Sequence, residues 1–168
     1  MYGLLNTKPN KMIKYEDDGF TWENTLRFSD NNIFARINCK KEVGYSTIQN
    51  EVLLQAIEKY YEYLKEQIIT LDADILVCCG SQNEQNIILN TVYEIYNNEF
   101  EYVDFVDGKG TGMHYNAKRN KLAIDAYHLA YSYNGYLKAR YNEVVGMYYE
   151  FLRYLKMKKD IDFCTSHR

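Results

Sequence analysis

Asn38, Gly80, Ser81 and His128 are residues whose types and places along the chain could do chemistry together. Asn38 closes the short apolar run Ile33-Phe34-Ala35-Arg36-Ile37, and Gly80-Ser81 closes Ile75-Leu76-Val77-Cys78-Cys79. His128 follows the run around Leu122-Ala123-Ile124. Short apolar runs rich in β-branched residues predict strands. In an open α/β sheet a ligand sits outside the carboxyl ends of the strands. At such an edge an amide can read paired donors and acceptors. A Gly-Ser turn before a helix offers free N–H groups, and an imidazole can donate to developing negative charge.

A second group couples cations to aromatics. Lys118-Arg119-Asn120-Lys121 and Lys138/Arg140 are interleaved with Tyr127, Tyr131, Tyr133 and Tyr136, in a chain that holds 18 tyrosines. Aromatics among cations suit stacking on unpaired bases; the other reading is a tyrosine-rich core edge with solvated lysines. Asp107-Gly108-Lys109-Gly110-Thr111-Gly112 lacks the full phosphate-cradling pattern GxxxxGK[ST] and reads as a turn. His114, His128 and His167 lack ligand spacing. Cys39, Cys78, Cys79 and Cys164 lack paired CxxC spacing. Neither a metal nor a cofactor is expected.

These residues need a scaffold. Its 168 residues suit one domain, and 46% hydrophobic with 26% charged residues excludes disorder and fibre. A net charge of −3 does not advertise a phosphate-backbone binder. No run of about 18 apolar residues is present, so no membrane span is expected and a cytoplasmic setting is the simple reading.

The spacing predicts an irregular segment over 1–32, with a short amphipathic piece from Phe20 to Phe28. A helix is predicted from Thr47 to Leu71, opened by a capping box at Ser46-Thr47-Ile48-Gln49. Ile75–Cys79 reads as a strand covered on both faces. A second capping box, Ser81-Gln82-Asn83-Glu84, opens a helix to about Asn97. Strands follow at Glu101–Val106 and around Leu122–Ala123–Ile124, the latter after a turn at Arg119-Asn120. Helical period returns from Tyr136 to Leu155, and 156–168 reads as a charged, fraying tail. Alternating apolar runs and helical stripes predict a single α/β domain over 1–168, three-layered, with a mainly parallel central sheet. Ile33–Ile37 and Ile75–Cys79 are expected as neighbouring or near-neighbouring parallel strands.

On these residues the chain resembles the uracil-DNA glycosylase superfamily over roughly residues 20–155. Phe34-Ala35-Arg36-Ile37-Asn38-Cys39-Lys40-Lys41 is similar to the family's strand ending in a base-reading Asn. Ile75–Cys79 with Gly80-Ser81 resembles its central apolar strand. Tyr127-His128-Leu129-Ala130 resembles the segment whose His stabilises charge on the flipped base. The resemblance implies that Asn38, Gly80, Ser81, Tyr131 and Tyr133 bind a nucleobase, nucleotide or nucleic acid, with His128 as the catalytic residue. The family's N-terminal water-positioning loop has no counterpart in Met1 to Phe20, and Leu129 and Ala130 replace its Pro and Ser. Binding is therefore expected without efficient N-glycosylase activity. The alternative is a non-catalytic interaction or regulatory protein on the same fold, as a homo-oligomer.

Overall fold

Lys121–Ala126 (β4) organises the sheet, because residues on both of its faces are buried: Leu122, Ile124 and Ala126 on one, Lys121 and Ala123 on the other. The computed structural model describes residues 2–15, 23, 27, 34–40, 49–79, 86–103, 112–126 and 136–166. In chain order the elements are α1 (Tyr2–Asn6), α2 (Asn50–Lys59), α3 (Tyr61–Leu71), β1 (Ile75–Cys79), α4 (Ile87–Ile95), β2 (Glu101–Tyr102), β3 (Gly112–Asn116), β4 and α5 (Tyr136–Ser166). The strands form one sheet in the order β1-β4-β3-β2.

The sheet makes the chain α/β, but it is mixed rather than mainly parallel. β1 pairs with β4 in parallel, Ile75 opposite Leu122 and Cys79 opposite Ala126. β2 pairs with β3 antiparallel, Tyr102 opposite His114. β3 and β4 are joined by the turn 117–120, which ends at Asn120 with φ 53°. A link that short cannot make a parallel crossover, whereas Asn accepts the left-handed conformation that such turns use.

The expected strand over Ile33–Ile37 is not found: 34–40 has no regular structure, and Ile33 lies outside the described residues. Its apolar residues serve a different purpose. Ile37 and Cys39 pack on the cluster of Leu53, Ile57 and Leu64, while Phe34 is exposed. β1 is a strand as expected, yet it stands at the end of the sheet order and not at its centre, and most of it is only half-buried.

The predicted helix ending at Leu71 does end there, but Tyr60 divides it. Tyr60 has φ −112° and ψ 17°, and its N–H is shared between the carbonyls of Ala56 and Ile57. The observed start is Asn50 after an extended Gln49, and Ser46 to Ile48 lie outside the described residues. Asp72 caps α3 in the left-handed region, φ 44°. α4 covers one face of the sheet through Leu89, Val92 and Ile95, which meet Cys78, Ala123, Tyr96 and Phe100. α2 and α3 lie against the beginning of α4, with Ile88 touching both clusters.

The chain divides into two compact units, one of residues 34–103 and 114–128, the other of 1–33, 104–113 and 129–168. In the second of these the opening segment is more regular than expected. α1 packs on α5, and a reciprocal pair of backbone bonds between Lys8 and Lys11 (2.9 and 3.0 Å) closes a turn over Pro9 and Asn10. Proline suits that corner because its φ is preset. Ile13 N–H donates to Thr7 Oγ1 (3.2 Å), and Tyr15 N–H donates to Asn142 Oδ1 (2.9 Å). Glu23 and Arg27 are helical and exposed; Phe20, Trp22, Leu26 and Phe28 lie outside the described residues.

The expected fraying tail is instead the continuation of α5 to Ser166. Nothing after Gly146 breaks a helix, and Leu, Lys, Met and Arg are good helix formers, so the charged run prolongs it. Among the described residues no helix is long and apolar enough to span a membrane.

Candidate functional site

β1 and β4 end level with each other, Cys79 opposite Ala126, so the chain leaves the sheet at one edge toward both Gly80 and Tyr127. At this edge the structure places a carboxylate that the sequence pattern does not mark. Asp125 is half-buried, and Oδ1 accepts from Asn86 Nδ2 at 2.6 Å. The same amide nitrogen donates to the Cys78 carbonyl (2.9 Å). The Asn86 side-chain oxygen accepts from the backbone N–H of Ile88 and Leu89, both at 3.1 Å. One buried side chain therefore caps α4, ties it to β1 and fixes the Asp125 carboxylate.

Of the sequence-predicted site residues, Asn38 is described, and it is exposed. Its neighbours hold it near this edge. Ile37 and Cys39 pack on the cluster of Leu53, Ile57 and Leu64, as do Ile87 and Ile88 in the first turn of α4. The thiols show the same proximity. Burial pushes the Cys78 thiol far up, with Cys79, Asp125 and Cys39 each adding in the same direction. Burial also raises Cys79, with Arg36 pulling the other way. Neither thiol is a nucleophile at neutral pH. Gly80, Ser81, His128, Tyr131 and Tyr133 lie outside the described residues, as does the Gly-rich segment up to Thr111.

The basic turn proves to be committed. Lys118 Nζ and Arg119 Nε reach Glu99 at 3.2 and 3.3 Å, and Asn116 Nδ2 reaches it at 3.4 Å. These hydrogen bonds hold the Glu99 carboxyl below its ordinary range. Lys121, almost fully buried, donates to the carbonyls of Asp72 (3.0 Å) and Ala73 (3.1 Å) and pairs with the Asp72 carboxylate at 2.8 Å. Its hydrogen bond lowers the Asp72 carboxyl. Lys118 and Arg119 thus share Glu99 and Lys121 has Asp72, so two carboxylates inside the chain answer the three cations of the turn. That leaves little unmatched positive charge for a phosphate backbone.

A histidine outside the expected set sits on the helix-covered face. His114 Nδ1 lies 2.6 Å from the Tyr93 hydroxyl, and its ring packs edge-on to Tyr93 (centroids 5.5 Å) and against Tyr102 (5.3 Å). Burial pushes its pKa down, with Asp125 opposing. The ring is accordingly neutral at pH 7. Among the described residues no group of three or more His, Cys, Asp or Glu side chains could hold a metal.

Asn86 has a readable signal. Asn is a preferred N-cap and stands directly before Ile87-Ile88-Leu89, but the Ser81…Glu84 spacing competes with it as the helix start. Asp125 has none, because a single acid in an apolar run acquires meaning only from its neighbours in space. No family model matches the chain, and no match is found to a curated protein or to a solved structure.

Proposed function

We propose that the sheet-bearing unit binds a nucleobase or nucleoside at the carboxyl edge of the β1/β4 pair, as a uracil-DNA-glycosylase-like three-layer α/β/α domain without effective glycosylase activity. The observation that carries this reading is the anchoring of Asn38 by Ile37 and Cys39 beside the first turn of α4. That is the turn whose cap, Asn86, holds Asp125. An exposed amide and a fixed carboxylate near one sheet edge suit a planar ligand with donors and acceptors along one side. The carboxylate also selects within the ligand class. It accepts from a base N–H or a ribose hydroxyl and repels phosphate, so the favoured ligand is a base or nucleoside and not a nucleotide phosphate. In this reading Gly80-Ser81 supplies backbone donors and His128 an imidazole donor to the base.

Isothermal titration with uridine, cytidine, adenosine and guanosine tests the proposal. At least one binds the wild-type chain, and Asp125→Asn weakens that ligand about tenfold or more, ~1.4 kcal/mol, within the range for hydrogen bonds to charged groups. The amide oxygen introduced at position 125 can still accept from Asn86, so the fold is kept. Asn38→Ala and His128→Ala weaken the same ligand with almost unchanged melting temperature. No binding by any of the four, or binding that none of these substitutions alters, overturns the reading.

A further inference from the structure

The groove between α2 and α4 lies wholly within the sheet-bearing unit and shares Ile57 and Ile87 with the cluster that holds Ile37 and Cys39. It encloses about 600 Å³ between Asn50, Leu54 and Glu58 of α2, Tyr61 of α3, and Ile87 and Glu94 of α4, among other side chains. Ile57 at its base is buried, but Leu54 is 45% exposed, a large aliphatic side chain left facing water. Glu58 and Glu94 on its walls are both exposed, and neither makes an ion pair among the described residues. The groove lining contains two acids and no cation. A groove whose lining mixes Leu54, Ile57, Tyr61 and Ile87 with Asn50, Asn90, Thr91 and two acids suits a helix that presents apolar side chains together with lysines.

This chain carries such a helix face. Tyr154 and Met157 stand three residues apart on α5, hence on one side of it, and are 37% and 57% exposed. Lys158, four residues from Tyr154, shares that side, and Lys156 lies beyond its Met157 edge; both are exposed and without an ion pair among the described residues. Lys159 continues the basic run in sequence.

We propose that the groove between α2 and α4 receives the Tyr154–Lys158 face of α5 from a second copy of the chain, with Lys156 and Lys158 answering Glu58 and Glu94. Leu54 then loses its exposure against Tyr154 or Met157, and each chain offers both a groove and a helix. Contacts of this kind close into a symmetric pair or extend head to tail, according to the rotation between copies.

Sedimentation velocity of the full chain over a concentration series tests this. The wild-type chain associates, more weakly as salt rises, because the wall pairs are exposed and screened. The double reversals Glu58→Lys/Glu94→Lys and Lys156→Glu/Lys158→Glu each weaken association at least about tenfold. All four changes in one chain restore it, because the charges again match. The reversed positions are exposed, and unchanged circular dichroism and melting confirm that each variant is folded. A wild-type chain that stays monomeric throughout overturns the proposal, as does association that neither reversal weakens or that the fourfold variant fails to regain. A monomeric chain that sediments with phosphatidylserine vesicles through Lys156 and Lys158 likewise overturns it, and assigns the basic face to an anionic membrane surface. None of these outcomes bears on nucleoside binding, which is read in a separate titration.

Discussion

Asn86 donates its side-chain amide to Asp125 across 39 positions of sequence, at 2.6 Å, while its oxygen caps the helix that follows it. Helix start, end of β1 and carboxylate are therefore one unit. Asn86→Ala removes the cap, worth ~1 kcal/mol, and leaves the Cys78 carbonyl and the Asp125 oxygen without that donor. A total loss of roughly 2–3 kcal/mol is expected, read as a lower urea midpoint at constant slope. Asn86→Ser separates the parts. Serine caps about as well as asparagine but cannot reach both acceptors, so its deficit reports the bonds to Cys78 and Asp125. If the Asn86→Ser variant were as stable as wild type, the bond to Asp125 would carry no weight.

His114 is expected to contribute to the pH response of the sheet-bearing unit. Its folded pKa lies below the ordinary histidine value because burial penalises the charged ring. The unfolded chain takes up the proton near pH ~6.5 while the folded chain resists it. The unfolded state then binds more protons, so stability falls as pH drops below ~6.5 and levels off once the folded ring also titrates. Protonation also makes Nδ1 a donor only, so in the tautomer where it accepts from Tyr93 O–H that bond is lost. His114→Gln keeps a polar group but does not titrate. Melting temperature measured from pH 8 down to about 5.5, above the main carboxylate range, should fall more steeply for wild type than for this variant. Parallel curves would show that the ring does not govern this window.

Gly146 gives a stabilising change. It lies inside α5, where glycine costs ~0.5–1 kcal/mol relative to alanine. A Cβ built there meets the Met12 Cε at 3.8 Å, an ordinary contact with the end of a flexible side chain. Gly146→Ala should therefore raise stability by about 0.4–1 kcal/mol. A loss on thermal or urea unfolding would mean that Met12 cannot give way.

The contrast between β1 and β4 shows what is legible in the sequence. Ile75–Cys79 is all apolar and reads correctly as a strand, but the same run suggests cover on both faces. It is β4, interrupted by Lys121 and Asp125, that is buried on both faces. Lys121 can be buried because three acceptors at Asp72 and Ala73 receive its ammonium, an arrangement that local pattern cannot reveal. Ile33–Ile37 misleads for the opposite reason. A short apolar run predicts burial more securely than it predicts strand, and Ile37 is held by the α2 cluster without a β partner. The turn at Arg119-Asn120 and the end of α3 at Leu71 are legible because Asn and Asp adopt left-handed conformations there. At the candidate site, the sheet edge is legible and Asn38 stands near it, though not at a strand end. The Asn86–Asp125 pair is not legible, since its meaning comes from a register between strands far apart in sequence.

Excision of uracil from DNA is expected to be absent. Cleaving an N-glycosidic bond requires charge stabilisation on the departing base and, on the opposite side, a water positioned against the sugar. The chain offers His128 for the first role. For the second, its opening residues build something else: α1, then a turn over Pro9 and Asn10 that the reciprocal Lys8–Lys11 bonds close. Asp125 is the carboxylate fixed by Asn86 at the sheet edge, and the proposal gives it the role of an acceptor for the ligand. Losing a positioned general base or water costs orders of magnitude in rate, whereas the proposed recognition through Asn38 and Asp125 does not depend on it. Purified protein incubated with uracil-containing single- and double-stranded DNA, then treated with alkali, should leave the strands intact. Alkali-labile sites that appear with the wild-type chain and vanish in Asn38→Ala would show instead that a water is positioned by residues other than an N-terminal loop. In that event Asp125→Asn becomes the decisive variant. If it abolishes cleavage while a nucleoside still binds, Asp125 is the base that orients the water.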